Sequence, residues 1–268
     1  MRRVVDFVKG YFKGWNTFEI LFLESCVVFP VVFGVLFGAE WFKIVASVAV
    51  LIASLLLAKA KVEGFVAYVI AMSLYAFVSF QEQVFGEVVY IVVLSIPLAV
   101  FGLVRALRNK TVDPKKGSVM VMNKLGWREL FIVAVISGVF WTAFYFILRE
   151  FGTVFLVVSV FSLVTSLLGE YFVARRSQLG MVFYVLSDVF GAALWASVVF
   201  GGNMSAIPMF VMFVMLGLND VYGVFEWHKL RKSQMKDRVA HKILTEDVID
   251  KMQESVIEVN LMTKNSHD

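Results

Sequence analysis

Three short sequence patterns occur twice in this chain, in the same order in each half. The matching pairs are residues 47–56 with 159–168, residues 58–69 with 174–185, and residues 100–102 with 221–223. The first two pairs belong to long apolar segments, and the third stands where an apolar run gives way to a basic one. Because the order is kept, the sequence predicts two halves that fold in the same way.

The composition is that of a membrane protein. Apolar residues make up 60% of the 268 positions and charged residues 17%, whereas a soluble domain is roughly 45–50% apolar. The apolar segments are about 20 residues long, which is enough to cross a hydrocarbon core of roughly 30 Å at about 1.5 Å per residue. The sequence therefore predicts an α-helical protein that crosses the membrane several times.

We expect eight spans, followed by a polar tail. The spans are residues 18–37, 41–58, 64–80, 86–105, 129–148, 152–173, 180–200 and 204–227. The first 17 residues are basic and aromatic and lack the apolar core of a signal peptide, so we expect an amphipathic segment on the cytoplasmic surface. In the tail, Leu244, Val248, Met252 and Val256 recur every four residues. This spacing indicates an amphipathic helix that packs on the inner face or binds a partner.

The basic residues indicate the orientation. Of the 25 Lys and Arg residues, Lys43 and Arg149 alone fall in one set of loops, and the opposite loops and the tail hold the rest. By the positive-inside rule, both termini of this multi-pass protein are expected to be cytoplasmic. The membrane that we expect for it is the plasma (inner) membrane. The net charge of +4 follows from these basic loops and needs no nucleic-acid partner.

The even number of spans constrains how the two copies are joined. Each copy has three spans, so direct fusion would invert the second copy, and the fifth span restores its direction. We therefore predict an all-α fold with two parallel three-helix bundles joined by a linker helix (3+1+3), plus one extra N-terminal span. The expected segments are the N-terminal segment 1–17, the extra span 18–40, the first bundle 41–105, a cytoplasmic loop 106–128, the linker span 129–151, the second bundle 152–227 and the cytoplasmic tail 228–268. Such a repeat is typical of transporters whose solute pathway lies between the copies.

Polar residues inside the apolar spans are the best candidates for a site. A charge in hydrocarbon costs at least about 2.5 kcal/mol, so each one needs a reason to be there. Asp188, Asn219 and Asp220 are expected at the same depth, with Tyr184 one turn from Asp188 and Tyr222 three residues after Asn219. We predict that these side chains line a polar pocket with aromatic walls. The alternative is that Asp188 is neutral or hydrogen-bonded to a neighbouring helix and only holds the bundle together.

The first half is less polar at the matching positions. Met72 aligns with Asp188, and Tyr75 and Ser95, which stands just before Pro97, are the nearest polar candidates. At the outer ends of the third and fourth spans, Gln83 and Glu87 belong to a polar group that we interpret either as a solvated loop or as an outer vestibule that attracts cations.

Two further glutamates fall within apolar runs. We interpret Glu24 and Glu170 as structural, with Glu170 within reach of Arg175 or Arg176.

Several kinds of chemistry find no support in the sequence. It has no GxxxxGK[ST] motif and therefore no ATP-binding motor of that type. None of its three histidines lies in the middle of a span, and there is no HExxH motif, Ser/His pair or cluster of metal ligands. Cys26 is the one cysteine, so an intramolecular disulfide is excluded. We expect no enzyme activity, no cofactor and no metal.

With these motifs in place, residues 12–232 resemble the PnuC family of vitamin transporters. The resemblance rests on an ordered set of short motifs: Gly14-Trp15-Asn16-Thr17-Phe18-Glu19, Ala58-Lys59-Ala60-Lys61, Leu74-Tyr75-Ala76-Phe77, Gly86-Glu87, Pro97, Phe101-Gly102, Ala174-Arg175-Arg176, Tyr222-Gly223 and Glu226-Trp227. It implies a fold similar to that of the SWEET sugar transporters, facilitated diffusion, and uptake driven by a cytoplasmic kinase that phosphorylates the vitamin. It also implies a homotrimer.

The resemblance departs from the family pattern in the seventh span. Carriers of nicotinamide riboside typically have two tryptophans one turn apart and then an asparagine, where this chain has Met181, Tyr184 and Asp188. A carboxylate could bond ribose hydroxyls or pair with a cationic ring, so nicotinamide riboside is the favoured substrate. Thiamine or a nucleoside is the alternative, as is a proton-coupled carrier that uses Asp188. A purely structural membrane subunit is the alternative from another class.

Overall fold

The computed structural model of the chain describes residues 15–82, 85–113, 117–150, 152 and 155–265. Gln83 and most of the predicted N-terminal segment lie outside these residues, so their expected roles stay predictions.

Within the described part, helices account for almost all of the regular structure. They are α1 (Thr17–Leu36), α2 (Trp41–Ala58), α3 (Glu63–Gln81), α4 (Phe85–Tyr90), a π-helix (Ile91–Ser95), α5 (Ile96–Arg108), α6 (Trp127–Glu150), α7 (Leu156–Ala174), α8 (Leu179–Phe200), a 3₁₀-helix (Met204–Ala206) and α9 (Ile207–Asn265). Two short strands, β1 (Lys110–Asp113) and β2 (Gly117–Met120), form an antiparallel hairpin.

The predicted number of spans is confirmed. Among the described residues, eight helical segments are long and apolar enough to cross a membrane, with α4, the π-helix and α5 forming one of them. The closest packing is between α2 and α3 and between α7 and α8.

The first span begins at a capping box. The Glu19 backbone N–H donates to the Asn16 side chain over 2.8 Å, and the Asn16 backbone N–H donates to the Glu19 carboxylate over 2.7 Å. This reciprocal pair satisfies two of the N–H groups that the first turn of a helix leaves unpaired. The start of α1 is therefore fixed at Thr17 by two residues of the Trp-Asn-Thr-Phe-Glu motif.

The fourth span is interrupted in its middle. Residues 91–95 form a π-helix, and Pro97 follows in the first turn of α5. Proline has no N–H to donate to the preceding turn, so the ladder of hydrogen bonds is weakened where the helix changes type. The wider turn contains Ser95, which is fully buried.

The turns after α2 and α7 have the same backbone. Both contain a residue other than glycine in the left-handed region, with φ 55° at Ala60 and φ 59° at Arg176. In both, the following N–H groups return to the last turn of the helix: Ala60 N donates to Leu57 O, and Arg176 N to Val173 O, each over 2.8 Å. These two residues occupy matching places in the repeated sequence.

The hairpin and the residues directly after it contact both of these turns. Residues 106–128, which the sequence predicts as a loop, contain β1 and β2 in the register Lys110 opposite Met120. The Met120 backbone N–H donates to the Ala60 carbonyl over 3.1 Å, and the Asn123 backbone N–H donates to the Arg176 carbonyl over 3.0 Å. One short segment of chain therefore ties together the ends of α2 and α7.

Two glycines allow close approaches between the first and second halves. A Cβ at Gly102 would lie 2.4 Å from the Phe65 ring and 3.2 Å from Ala174 Cβ. A Cβ at Gly223 would lie 2.8 Å from the Met181 sulfur and 3.2 Å from the Ala58 Cβ. The contacts are reciprocal, because Phe65 and Met181 hold matching positions in the repeat, as do the two alanines.

Two parts of the chain differ from the rest. Helix α6 packs on α7, but Phe144 and Leu148 are its only buried residues among those described. From His228 onward the chain forms a separate compact unit that is helical to Asn265. The tail predicted over residues 228–268 is thus helical as far as the structure describes it.

Candidate functional site

A cavity lies among α2, α3, the fourth span, α7, α8 and α9, and carboxyl groups stand out in its wall. Four acidic residues line it, Glu87, Glu170, Asp188 and Asp220, and no Lys, Arg or His is found among its described lining residues. Ser54, Tyr68, Tyr75, Tyr90 and Tyr184 add hydroxyl groups, and Met72, Met212 and Phe213 are among the apolar lining residues. The cavity is therefore acidic, rich in hydroxyls and partly aromatic.

The first group of polar side chains is centred on Asp220. The Ser54 hydroxyl donates to Asp220 Oδ1 over 3.1 Å, and the Asn219 amide donates to the same oxygen over 2.9 Å and to the Ser54 hydroxyl over 2.6 Å. Asn219 is buried, and its Oδ1 has no hydrogen-bond partner in the structure. This group joins α2 of the first half to α9 of the second.

Asp188 on α8 faces Asp220 across the cavity wall. The two carboxyl groups are close enough to interact electrostatically, and Asp188 is buried with its Oδ2 unpartnered. Gly217 brings α9 close, since a Cβ at that position would lie 3.7 Å from Asp188 Cβ. Like charges so close in a site with little water repel strongly unless a cation or a proton is shared between them.

The second group is centred on Glu170, near the end of α7. Glu170 Oε1 accepts the Tyr68 hydroxyl over 2.8 Å and the Ser95 hydroxyl over 2.6 Å, while Oε2 has no partner. The hydroxyls of Tyr75 and Tyr90 also lack partners, and both residues are buried. The interpretation of Glu170 as a partner of Arg175 or Arg176 is wrong for Arg175, whose guanidinium pairs with Glu129 over 2.5 Å, and Glu170 lines the cavity instead.

Most of the predicted pocket residues come together. Tyr75, Tyr184, Asp188 and Asp220 line the cavity, and Asn219 supports Asp220 from behind it. The ring of Tyr75 meets Phe213 edge-on with 6.4 Å between centroids. Their expected role in binding a solute stays a prediction, but the predicted juxtaposition of these residues matches the geometry.

Tyr222 lies elsewhere. Its hydroxyl donates to Glu19 Oε1 over 2.5 Å, and this carboxylate also forms a buried ion pair with Lys59. The Lys59 ammonium stands over the Trp15 ring, 4.3 Å from its centroid. Tyr222 is therefore not part of the cavity lining but of a cluster that joins the first span to α2 and α9.

Glu87 is also placed differently from the expected outer vestibule. It is buried and lines the cavity in the first turns of α4, on the same face as Tyr90. Gln83, the second vestibule candidate, lies outside the described residues.

A separate polar network occupies the opposite end of α2. Lys43 is buried and forms ion pairs with Glu40 over 2.8 Å and with Glu82, and its ammonium donates to the Ser205 hydroxyl over 3.1 Å. The Asn203 amide donates to Glu82 over 3.2 Å. The hydrogen bond with Lys43 is the chief cause that lowers the pKa of the Glu40 carboxyl below its ordinary value. The network ties α2 and α3 to the segment between α8 and α9.

The sequence contains a signal for Glu170 that the first interpretation did not use. The register that places Ala58 over Ala174, carried back along the two helices, puts Glu170 on Ser54, whereas the pairing of residues 47–56 with 159–168 puts Ser166 there. All three side chains line the cavity. A polar residue at matching positions of two repeats is a better indicator of an inward-facing side chain than nearby arginines are of an ion pair.

Comparisons with known proteins agree with the predicted fold. Residues 40–229 match the model of a family described as Nicotinamide mononucleotide transporter. The chain is 23% identical over 222 residues to the nicotinamide riboside transporter PnuC of Neisseria mucosa, which covers 82% of this chain and 84% of that protein. It also matches the crystal structure of the vitamin B3 transporter PnuC with a TM-score of 0.73 at 22% identity, over 82% of this chain and 94% of the solved one.

Proposed function

The chain belongs to the nicotinamide mononucleotide transporter (PnuC) family of membrane transporters, and from this premise we propose that it carries a vitamin precursor with a cationic ring, nicotinamide riboside, by facilitated diffusion. The observation that carries the proposal is the acidic cavity. Its four carboxyl groups face no basic residue among the described lining. Buried anions without counter-charges are costly, and a bound cation offsets that cost.

The same charges bear on which form of the vitamin fits. A phosphate monoester carries about −1.5 to −2 charges at neutral pH, and the four carboxyl groups of the cavity would repel it. A riboside has no phosphate, and its pyridinium ring is cationic. The acidic wall therefore favours the riboside over the mononucleotide.

A carrier of this kind must open its cavity to one side at a time. The two halves touch through Lys43, Glu82 and Ser205 at one end and through the hairpin and the two turns at the other. We propose that the halves are two parallel three-helix bundles joined by α6, as in the SWEET sugar transporters, and that they rock around Asp188 and Asp220. The reciprocal contacts of Gly102 and Gly223 support a two-fold relation between the bundles.

The remaining parts of the proposal concern the cellular setting. We propose that both termini are in the cytoplasm, because basic residues crowd one set of loops. A carrier that takes up a vitamin precursor belongs in the plasma membrane. Uptake would be driven by a cytoplasmic kinase that phosphorylates the riboside and so traps it, and the carrier would assemble as a homotrimer.

Transport by purified protein in liposomes tests the proposal. We expect counterflow of labelled nicotinamide riboside without any ion gradient, and a rate at least ten-fold lower for Asp188→Asn. Glu24→Gln, which makes the same change on an exposed side chain of α1, is the control and should transport normally. Uptake that follows an imposed pH gradient would show that the protein is a proton-coupled carrier and not a uniporter. Transport of thiamine but not of nicotinamide riboside would overturn the choice of substrate.

A further inference from the structure

We propose that Glu170 is a specificity-determining residue, which binds the hydroxyl groups of the solute at a place separate from Asp188 and Asp220. This inference rests on the proposed function, since it assigns the two ends of one riboside to two parts of the same cavity. The part centred on Glu170 takes the vicinal hydroxyls, and the part formed by the two aspartates takes the cationic ring.

The hydrogen bonds of Glu170 leave half of its carboxylate free. Oε1 accepts from Tyr68 and Ser95, and Oε2 accepts from no group. The residue is 5% exposed and lines the cavity. A buried acceptor without a donor costs about 1–3 kcal/mol, and more when it is charged, so a ligand that brings hydroxyl donors to Oε2 would relieve this cost.

The surroundings of Glu170 suit neutral donors. Both of its partners in the structure are hydroxyl groups, and no basic side chain among the described residues forms an ion pair with it. Tyr90 is close enough to Glu170 to interact with its carboxylate, and Tyr75 lines the same cavity. Both hydroxyls are buried and make no hydrogen bond within 3.5 Å in the described part of the chain. A vicinal diol can donate to a carboxylate and accept from a phenol at the same time.

The π-helix explains how Ser95 reaches this position. Ser95 is the last residue of the widened turn and is fully buried. Short π-helical turns are frequent at functional sites. Here the turn places a hydroxyl of the first half on a carboxylate of the second half.

Tyr184 lines the same cavity as Glu170 and the two aspartates. It precedes Asp188 by one turn on α8, and its ring packs on Gly169, where a Cβ would lie 2.5 Å from Tyr184 Cδ1. Gly169 is the neighbour of Glu170. A solute that reaches from Glu170 to Asp188 can therefore contact the Tyr184 ring.

The test compares two ligands of equal charge. Binding of nicotinamide riboside and of its 2′,3′-dideoxy analogue to the purified full-length protein is measured by calorimetry for the wild type, Glu170→Gln and Asp188→Asn. We expect the wild type to prefer the riboside at least ten-fold. Glu170→Gln should reduce that preference to within two-fold. Asp188→Asn should weaken the binding of both ligands by a similar factor, so that the preference for the riboside remains.

The outcomes separate this inference from the proposed function. A wild-type preference that survives in Glu170→Gln overturns the role of Glu170 and leaves the transporter proposal intact. Failure of the wild type to bind either ligand overturns both. Should Glu170→Gln not fold, Ser95→Ala provides the same comparison, because it removes one of the two hydroxyls that orient the carboxylate. It is then expected to lower the preference at least three-fold, and an unchanged preference overturns the inference.

Discussion

Ala60 and Arg176 have the same left-handed backbone, and their carbonyl groups accept hydrogen bonds from the same short segment, residues 120–123. A residue with a side chain in this region of φ and ψ is uncommon and is disfavoured by roughly 1–2 kcal/mol relative to the right-handed conformation. Finding it at matching places in the two halves indicates that the turn geometry is specified by the surrounding contacts. Residues 120–123, at the end of β2 and directly after it, therefore link the two turns by hydrogen bonds.

The first prediction concerns the glycine that follows the second turn. A Cβ at Gly180 would lie 2.7 Å from the Val173 backbone nitrogen and 2.9 Å from the Gly169 carbonyl oxygen. Backbone atoms cannot move aside easily, so Gly180→Ala should lower the free energy of unfolding by about 1–3 kcal/mol. Gly138→Ala is the control, because nothing lies within 4 Å of its Cβ position, and it should be neutral or slightly stabilising. Thermal unfolding in detergent checks both, and equal effects would contradict the close packing.

The second prediction concerns the buried ion pair of Glu19 and Lys59. Their side chains are 4% and 3% exposed. Lys59→Met leaves a buried carboxylate without its cation and should lower the free energy of unfolding by about 3–5 kcal/mol. The double variant Glu19→Gln with Lys59→Met removes both charges, so its free energy of unfolding should be close to that of the wild type. A chemical-denaturation cycle of the four proteins measures the coupling, and additive losses would show that the pair does not act as a unit.

The third prediction separates two tyrosines that the sequence places in one pocket. Tyr184 lines the cavity, whereas Tyr222 donates its hydroxyl to Glu19. Tyr184→Ala should weaken binding of nicotinamide riboside at least ten-fold. Tyr222→Phe should leave binding within two-fold and lower the free energy of unfolding by about 1 kcal/mol, the value of a hydrogen bond. Normal binding by Tyr184→Ala together with weakened binding by Tyr222→Phe would show that Tyr222, and not Tyr184, belongs to the binding site.

The fourth prediction is a pH dependence at the Lys43 network. The pKa of Glu40 is lowered, chiefly by its hydrogen bond with Lys43. Its contribution to stability is therefore fully present above the ordinary carboxyl pKa of 4.5 and is lost as the pH falls through the lowered pKa of the folded state. Because Glu40 is half exposed, the contribution is below about 1 kcal/mol. The difference in melting temperature between wild type and Glu40→Gln should be present at pH 6 and shrink below pH 4, whereas Glu150→Gln should differ little at either pH.

The sequence predicts the number and the approximate ends of the spans well, because the thickness of the membrane sets the length of each apolar segment. It also brings Asp188 and Asp220 together, since both lie at one depth. What it misses is rotation about the helix axis. Tyr222 follows Asp220 by two residues, roughly 200° around the helix at 3.6 residues per turn, so the two side chains cannot share a face.

The predicted places of Glu87 and Glu170 are wrong for different reasons. Glu87 lies in the predicted fourth span, but its side chain is buried and lines the cavity with Tyr90 instead of facing an outer vestibule. Helix α7 ends at Ala174, and Arg175 just after it pairs with Glu129, whereas Glu170 accepts hydrogen bonds from Tyr68 and Ser95. The start of α4 and the end of α7 lie within one residue of the predicted spans 86–105 and 152–173, so what the sequence left open is the direction of each side chain and not the end of each helix.

The most direct test of the central claim is a structure of the full-length protein with nicotinamide riboside bound. The account predicts the pyridinium ring beside Asp188 and Asp220, and the ribose hydroxyls within hydrogen-bonding distance of Glu170. A riboside bound outside this cavity, or with no carboxylate in contact with it, would contradict the account.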